Sequence, residues 1–367
     1  MAYTFPSLHI AVVNHPSLSL KRGAHFIDIY PAMLVLGLET SCDETAAAVL
    51  KDGDTLLSNV INDQIGIHSK YGGIVPELAG RSHIERVHRV IEEAVKKAGA
   101  QLRDLDLIAV TMGPGLIGSL LVGLNTAKGL SYGLNIPMIG VNHLEGHLLA
   151  IFLQKKIQFP FIALIVSGGH TDLYLAANFG QYKLLGRTRD DAAGESFDKV
   201  GKMLGLPYPG GPAIERLARM GNGKAHKFPR AYLEKGSLDF SFSGLKTSVR
   251  TFLERREQDN PLTDEDIAAG FQDAVIDVLV DKLISACEQE KVSRIVLTGG
   301  VAANGALREA VRSKAQANGF EASFPDPIFC TDNAAMIACA GYHKFVCDEN
   351  LSADFKTLDA KANLALE

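Results

Sequence analysis

Short apolar runs, each closed by a cluster of glycine, serine, threonine or acidic residues, recur along this chain between longer segments of helical periodicity. That order predicts an α/β protein. From Met33, Leu34 to Glu39 reads as a buried strand ending in the polar turn Thr40-Ser41-Cys42-Asp43-Glu44-Thr45. Ala46 to Leu50 and Thr55 to Asn62 read as two further strands joined by Lys51-Asp52-Gly53-Asp54. A long amphipathic helix over Leu78 to Ala98 comes next. Then come a strand, Leu107 to Thr111, the turn Gly113-Pro114-Gly115, and a helix from about Ser119 to Ser131. The strand Met138 to Val141 leads into another helix.

The pattern then starts again. Phe161 to Val166 is an apolar strand ending in Ser167-Gly168-Gly169-His170-Thr171, with a second strand over Asp172 to Ala176. Later, Arg294 to Leu297 reads as a strand ending in Thr298-Gly299-Gly300, with a helix over Ala303 to Asn318. Two strand–turn–strand units about 125 residues apart predict duplicated lobes facing a common cleft. Glycine turns of this kind let backbone N–H groups approach an anion closely, so the cleft is expected to take a phosphate-bearing ligand.

The helix after Val141 carries His143 and His147. At this spacing two imidazoles lie about 40° apart on a helical wheel and can reach one metal ion. Asn142 is a suitable N-cap, and Leu148 to Leu153 continues at helical length. The alternative is one core and one surface histidine. A zinc-peptidase reading fails on spacing. The glutamate, Glu145, lies two residues past the first histidine and roughly 200° around the helix, where it could brace a ligand or cap the helix but not serve as base.

Composition narrows the class. The chain has 367 residues, 47% of them hydrophobic and 22% charged, and suits two domains with full cores. No apolar run reaches the ~18 residues that span a bilayer. Cys42, Cys287, Cys330, Cys339 and Cys347 are odd in number and form no C-x-x-C pair, so neither a zinc-thiolate site nor a disulfide framework is indicated and a reducing, cytoplasmic compartment fits best. Residues 1–32 read as an N-terminal extension outside the fold, with a mitochondrial presequence as the other reading, since Asp28 is their one acidic residue. Charge is uneven: residues 181–256 hold 15 Lys/Arg against 8 Asp/Glu in a chain of net charge −5. A basic stretch on an acidic protein fits a polyanionic partner, or a solvated, locally paired surface.

Nine collinear segments carry a family resemblance: LGLETSCDET (36–45), YGGIVPELAGRSH (71–83), GPGLIGSLLVG (113–123), NHLEGHLLA (142–150), LIVSGGHT (164–171), DDAAGESFDKVGKMLGLPYPGGP (190–212), FSFSGLKT (240–247), LTGGVAANGALR (297–308) and FCTDNAAMIA (329–338). Together they resemble the TsaD/Gcp/Kae family of tRNA N6-adenosine threonylcarbamoyltransferases. The resemblance implies a two-lobed actin-like ATPase fold (ASKHA: actin, Hsp70, sugar kinase) with duplicated ribonuclease H-like lobes. The first lobe would span 33–155 and be completed by a C-terminal helix, 333–348. The second would span 156–332 and carry the basic block, about 194–256, as an insertion.

The same resemblance implies metal ligands at His143, His147 and Asp332, holding one divalent ion per chain, iron or zinc. It implies adenylate contacts at Ile165, Val166, Ser167, Gly168, Gly169, Asp198, Gly211 and Asn304, in a pocket that also accepts ATP or AMP. The implied reaction moves threonylcarbamoyl from threonylcarbamoyl-AMP to the N6 amine of adenosine 37 in tRNA, and AMP leaves. Asp43 or Glu44 would either take the amine's proton or order the first turn. Implied partners are tRNA, a TsaB-like paralogue, a TsaE-like small ATPase and a threonylcarbamoyl-AMP synthase, with no membrane. A metallopeptidase (glycoprotease) and an ASKHA-type ATPase or kinase remain as other classes.

Overall fold

The computed structural model describes residues 32–256, 261–348 and 356–366. The expected extension, apart from Ala32, therefore lies outside the described residues. The first half of the chain runs β1 (Leu34–Glu39), β2 (Thr45–Lys51), β3 (Thr55–Asn62), α1 (Ile65–His68), α2 (Pro76–Lys97), β4 (Leu107–Gly113), α3 (Ile117–Leu134), β5 (Met138–Asn142) and α4 (His143–Leu149). The second runs β6 (Phe161–Val166), β7 (Thr171–Asn178), β8 (Gln181–Arg187), α5 (Ala193–Met203), α6 (Gly210–Ala218), α7 (Ser243–Arg255), α8 (Asp264–Glu290), β9 (Arg294–Thr298), α9 (Gly305–Ala317), β10 (Glu321–Ser323), α10 (Pro327–Cys330) and α11 (Ala334–Cys347).

The strands form two sheets of one topology, β3-β2-β1-β4-β5 and β8-β7-β6-β9-β10. In each, an antiparallel meander of three strands is extended by two parallel ones. Alternating side chains feed two cores, because successive residues of a strand point to opposite faces. Leu36 and Leu38 of β1 pack with Val87 and Ile91 of α2, while Val35 faces a layer built from α4 and α11. Phe161, Ala163 and Ile165 of β6 meet that same layer, and Ile162, Leu164 and Val166 pack against α5, α6, α8 and α9. Apolar residues on both faces explain why these strands read as continuous hydrophobic runs. The helix with the two histidines thus lies in the one layer that both sheets share.

Three local features depart from the sequence expectation. The histidine helix ends at Leu149, and Ala150–Leu153 tightens into a 3-10 turn. Strand β8 shows five of its seven residues exposed or half-buried, so it carries little apolar signal. Helix α8 buries 17 of 27 residues around its circumference and lacks the one-sided stripe that marks an amphipathic helix. Its start is nonetheless written locally, as a capping box in which Thr263 Oγ1 accepts from Asp266 N–H at 3.3 Å and Asp266 Oδ2 accepts from Thr263 N–H at 3.2 Å.

Candidate metal and nucleotide site

Helix α4 starts where β5 stops because Asn142 ends the strand and caps the helix, its side-chain oxygen accepting from Leu144 N–H at 2.9 Å. One turn then brings the rings of His143 and His147 to 4.7 Å, nearly perpendicular. Asp332 reaches them from the loop between α10 and α11. Its Oδ1 lies 3.1 Å from Nε2 of His147 and 3.5 Å from Nε2 of His143. The three donor atoms fall within 4.8 Å of one another. Two imidazoles and a carboxylate in a buried pocket fit a divalent ion that keeps open positions for substrate.

Electrostatics follow from the burial. Burial alone would lift the Asp332 carboxyl, but His143 and His147 outweigh it and hold the group well below the usual carboxylate range. For His143 burial disfavours the charged ring, yet Asp332 and Glu39 carry it well above the ordinary imidazole value. The Glu39 carboxylate, wholly buried at the end of β1, lies 2.9 Å from Nδ1 of His143. It also accepts from the Thr111 hydroxyl at 2.7 Å and from the Ser41 N–H. Sequence reasoning missed Glu39, whose partner lies 104 residues away. Its only local signal is a charged residue closing an apolar strand.

Glu145 points elsewhere. Its carboxylate accepts from the Tyr182 hydroxyl at 3.1 Å and lines a cavity of about 290 Å³ that His143, His147 and Asp332 do not line. A peptidase built on this histidine pair would lack its base. Asp43 and Glu44 do lie on the ion side. Burial raises both carboxyls, Asp332 adds to the effect, and a hydrogen bond joins the two side chains. His83, fully buried on α2, secures their turn: Nδ1 lies 2.8 Å from the Thr45 hydroxyl and Nε2 lies 3.0 Å from the Cys42 carbonyl.

The predicted nucleotide residues fall at the end of β6 and on the turn after it, in the middle of α5, and at the starts of α6 and α9. Ser167, Gly168 and Gly169 form the turn between β6 and β7, and a Cβ added at either glycine would meet no atom within 4 Å. That leaves room for a phosphate. Ile165 and Val166 are fully buried in β6, so their side chains serve the cores and only their backbone borders the turn. Asp198 on α5 accepts from Gly210 N–H at 2.7 Å and from Gly211 N–H, which fastens the start of α6. Asn304 caps α9 by accepting from Leu307 N–H at 3.0 Å and donates to Gln272 at 2.8 Å. A bond from the Thr298 hydroxyl to the His147 carbonyl, 3.0 Å, ties the end of β9 to the histidine helix.

Beside the turn between β6 and β7, Asp172 is pushed up to about 6 by burial, which nearby Arg187 only partly offsets. Below pH about 4 this group is protonated in folded and unfolded chains alike. Between about 4 and 6 only the folded chain keeps the proton, so stability falls as pH rises, by on the order of 2 kcal/mol, and the loss is complete above about 6. Urea unfolding across pH 4–7 should show this slope, and Asp172→Asn should remove that share of it.

The basic block is less free than its composition implies. Of the 15 Lys/Arg in 181–256, eight make ion pairs, among them Lys183 with Glu290, Arg230 with Asp277 and Arg256 with Asp264. Lys202, Lys224, Lys227 and Lys235 are exposed and have no ion pair among the described residues. No helix of the described residues is long and apolar enough to cross a membrane.

Comparison with known proteins bears on the whole arrangement. The solved structure of T. kodakarensis HypF superposes with a TM-score of 0.62 at 16% identity, over 89% of this chain and 49% of that one. Component A of Acidaminococcus fermentans (R)-2-hydroxyglutaryl-CoA dehydratase gives a TM-score of 0.50 at 16% identity, over 85% of this chain and 98% of that one. These likenesses show the actin-like ASKHA fold. A family model described as "TsaD: tRNA N6-adenosine threonylcarbamoyltransferase" matches residues 55–339. Proteins of that name from Geobacter sp. (strain M21) and Thermodesulfovibrio yellowstonii are 56% and 54% identical to this chain. The first alignment covers 84% of this chain and 90% of its relative, the second 91% and 100%. The chain belongs to the TsaD family of tRNA N6-adenosine threonylcarbamoyltransferases and is a tRNA-modifying transferase.

Proposed function

We propose that the chain transfers the threonylcarbamoyl group of threonylcarbamoyl-AMP to the N6 amine of adenosine 37, in tRNAs that read codons beginning with A, and releases AMP. The convergence of His143, His147 and Asp332 on one point, in a chain of this family, carries the reading. These three side chains would hold iron or zinc, which when bound supplies Lewis acidity toward the threonylcarbamoyl oxygens. The Ser167–Gly169 turn offers backbone N–H groups to the adenylate phosphate. Asp198, Gly211 and Asn304 border the space for ribose and base, and ATP or AMP would compete for it. A new bond forms between the N6 nitrogen and the carbamoyl carbon, while that carbon's bond to the phosphate oxygen breaks. The amine's proton passes to the Asp43–Glu44 pair, whichever carboxylate is free to take it.

The lobes are assigned as 33–155 with α11, and 156–332. Helix α2 turns Val87, Val90 and Ile91 toward its own sheet and leaves Ile84 61% exposed, and Ile117 of the neighbouring α3 is 49% exposed. That outer face suits a TsaB-like paralogue, with a TsaE-like ATPase and the synthase completing a cytoplasmic system. Lys224 and Lys227 suit tRNA phosphates. Replacing both by alanine is expected to weaken binding to all tRNAs alike and to lower the salt-dependence slope by about 1–2, measured by filter binding over a salt series.

The deciding experiment combines the chain with synthase, partner proteins, tRNA and metal, and analyses the digested nucleosides by mass spectrometry. Threonylcarbamoyladenosine together with tRNA-dependent AMP release is expected. Release of phosphate alone, without a modified nucleoside, would overturn the reading.

A further inference from the structure

Glu39 has no exposed surface and no lysine or arginine partner among the described residues. Its burial is offset by three donors: Ser41 N–H on Oε1, and the Thr111 hydroxyl and His143 Nδ1 on Oε2. The other histidine differs, since Nδ1 of His147 is buried with no hydrogen-bond partner among the described residues. Only one of the two imidazoles is therefore oriented through its far nitrogen.

We propose that Glu39 is the positioning residue of the ion site, fixing which nitrogen of His143 is free to bind a divalent cation. A neutral imidazole carries one proton, and an acceptor-only carboxylate at Nδ1 keeps that proton there. Nε2, the nitrogen that faces Asp332 and His147, then presents its lone pair to the ion. The Ser41 hydroxyl also lies 3.1 Å from Nδ1, but a hydroxyl can donate or accept and selects neither tautomer. This inference rests on the metal reading above and adds a residue to it.

Glu39→Gln separates the two roles of the side chain. The amide oxygen must stay on Ser41 N–H, so the NH₂ group faces Nδ1 of His143 and turns it into an acceptor. The ring proton moves to Nε2, and the site loses a ligand without losing an atom of packing. Zinc affinity, measured on the full chain by competition with a chromophoric chelator, is expected to fall about 10- to 100-fold, with cooperative thermal unfolding retained. Ser41→Ala is expected to leave zinc affinity unchanged.

A wild-type chain that binds neither zinc nor iron(II) overturns the metal reading itself, and one that binds iron(II) alone moves the same comparison of variants to that ion. Wild-type binding together with equally tight Glu39→Gln overturns only the role given to Glu39, as does loss of zinc in Ser41→Ala alone. If Glu39→Gln does not unfold cooperatively, Glu39→Asp decides, since it keeps the charge but withdraws the oxygen by one methylene. Binding weakened about fivefold or more supports the assignment, and unchanged binding overturns it.

Discussion

Asp332→Ala is expected to abolish stoichiometric metal binding and to slow tRNA threonylcarbamoylation by roughly 10²- to 10³-fold. The argument is one of charge and geometry. Asp332 is the only carboxylate among the three converging donors, and its Oδ1 faces Nε2 of both histidines, at 3.1 and 3.5 Å. Two neutral imidazoles alone leave a divalent ion with neither its third protein ligand nor a compensating charge. Asparagine preserves the shape and offers a neutral carbonyl, so Asp332→Asn should fall between alanine and wild type. Metal content by mass spectrometry and product by nucleoside analysis test this directly. Affinity for AMP should change little, because the glycine turn proposed to hold the phosphate belongs to another strand end. Undiminished transfer by a metal-free Asp332→Ala chain would remove the ion from the mechanism.

A large loss of stability is expected from a side chain at Gly299. Its backbone sits at φ 94° and ψ 161°, a region essentially closed to residues with a Cβ. A Cβ built there would stand 2.4 Å from the Val166 carbonyl oxygen, inside any real contact distance. The Val166 oxygen and the Gly299 Cα that would carry the Cβ are both backbone at the close of the parallel pair β6–β9, just past the register Ile165↔Thr298, so neither can swing aside. Gly299→Ala is therefore expected to cost about 3–5 kcal/mol in equilibrium unfolding. It should also weaken AMP binding, because Val166 adjoins the Ser167 turn. Gly300→Ala is the control: a Cβ there meets nothing within 4 Å, and its cost should stay under about 1 kcal/mol. Equal stabilities for the two variants would contradict the close approach.

What could be read from the chain was what short-range physics writes into it. Strands buried on both faces appear as apolar runs, and β3 and β6 have the expected limits. The histidine pair was legible because helical spacing alone places both rings together. Asp332 was not, since nothing local joins it to residues 185 positions earlier, and only the family resemblance pointed to it. Glu39 escaped for the same reason. Helix α8 lacked a stripe because it is enclosed by packing, a property of the neighbours. The charge of the basic block was counted correctly, yet Glu290, Asp277 and Asp264, all outside it, neutralise part of it by long-range pairing.

The path of the chain through its shared middle layer has a further consequence. Both histidines are laid down before the second sheet begins, and the aspartate arrives only after that sheet is finished and the chain has turned back. Among the described residues, two scaffolds of one topology therefore share a single group of converging donors, not one apiece. A fragment that stops after α4 contains every strand of the first sheet and both imidazoles, yet lacks both the third donor and α11, the helix that covers the inner face of that sheet.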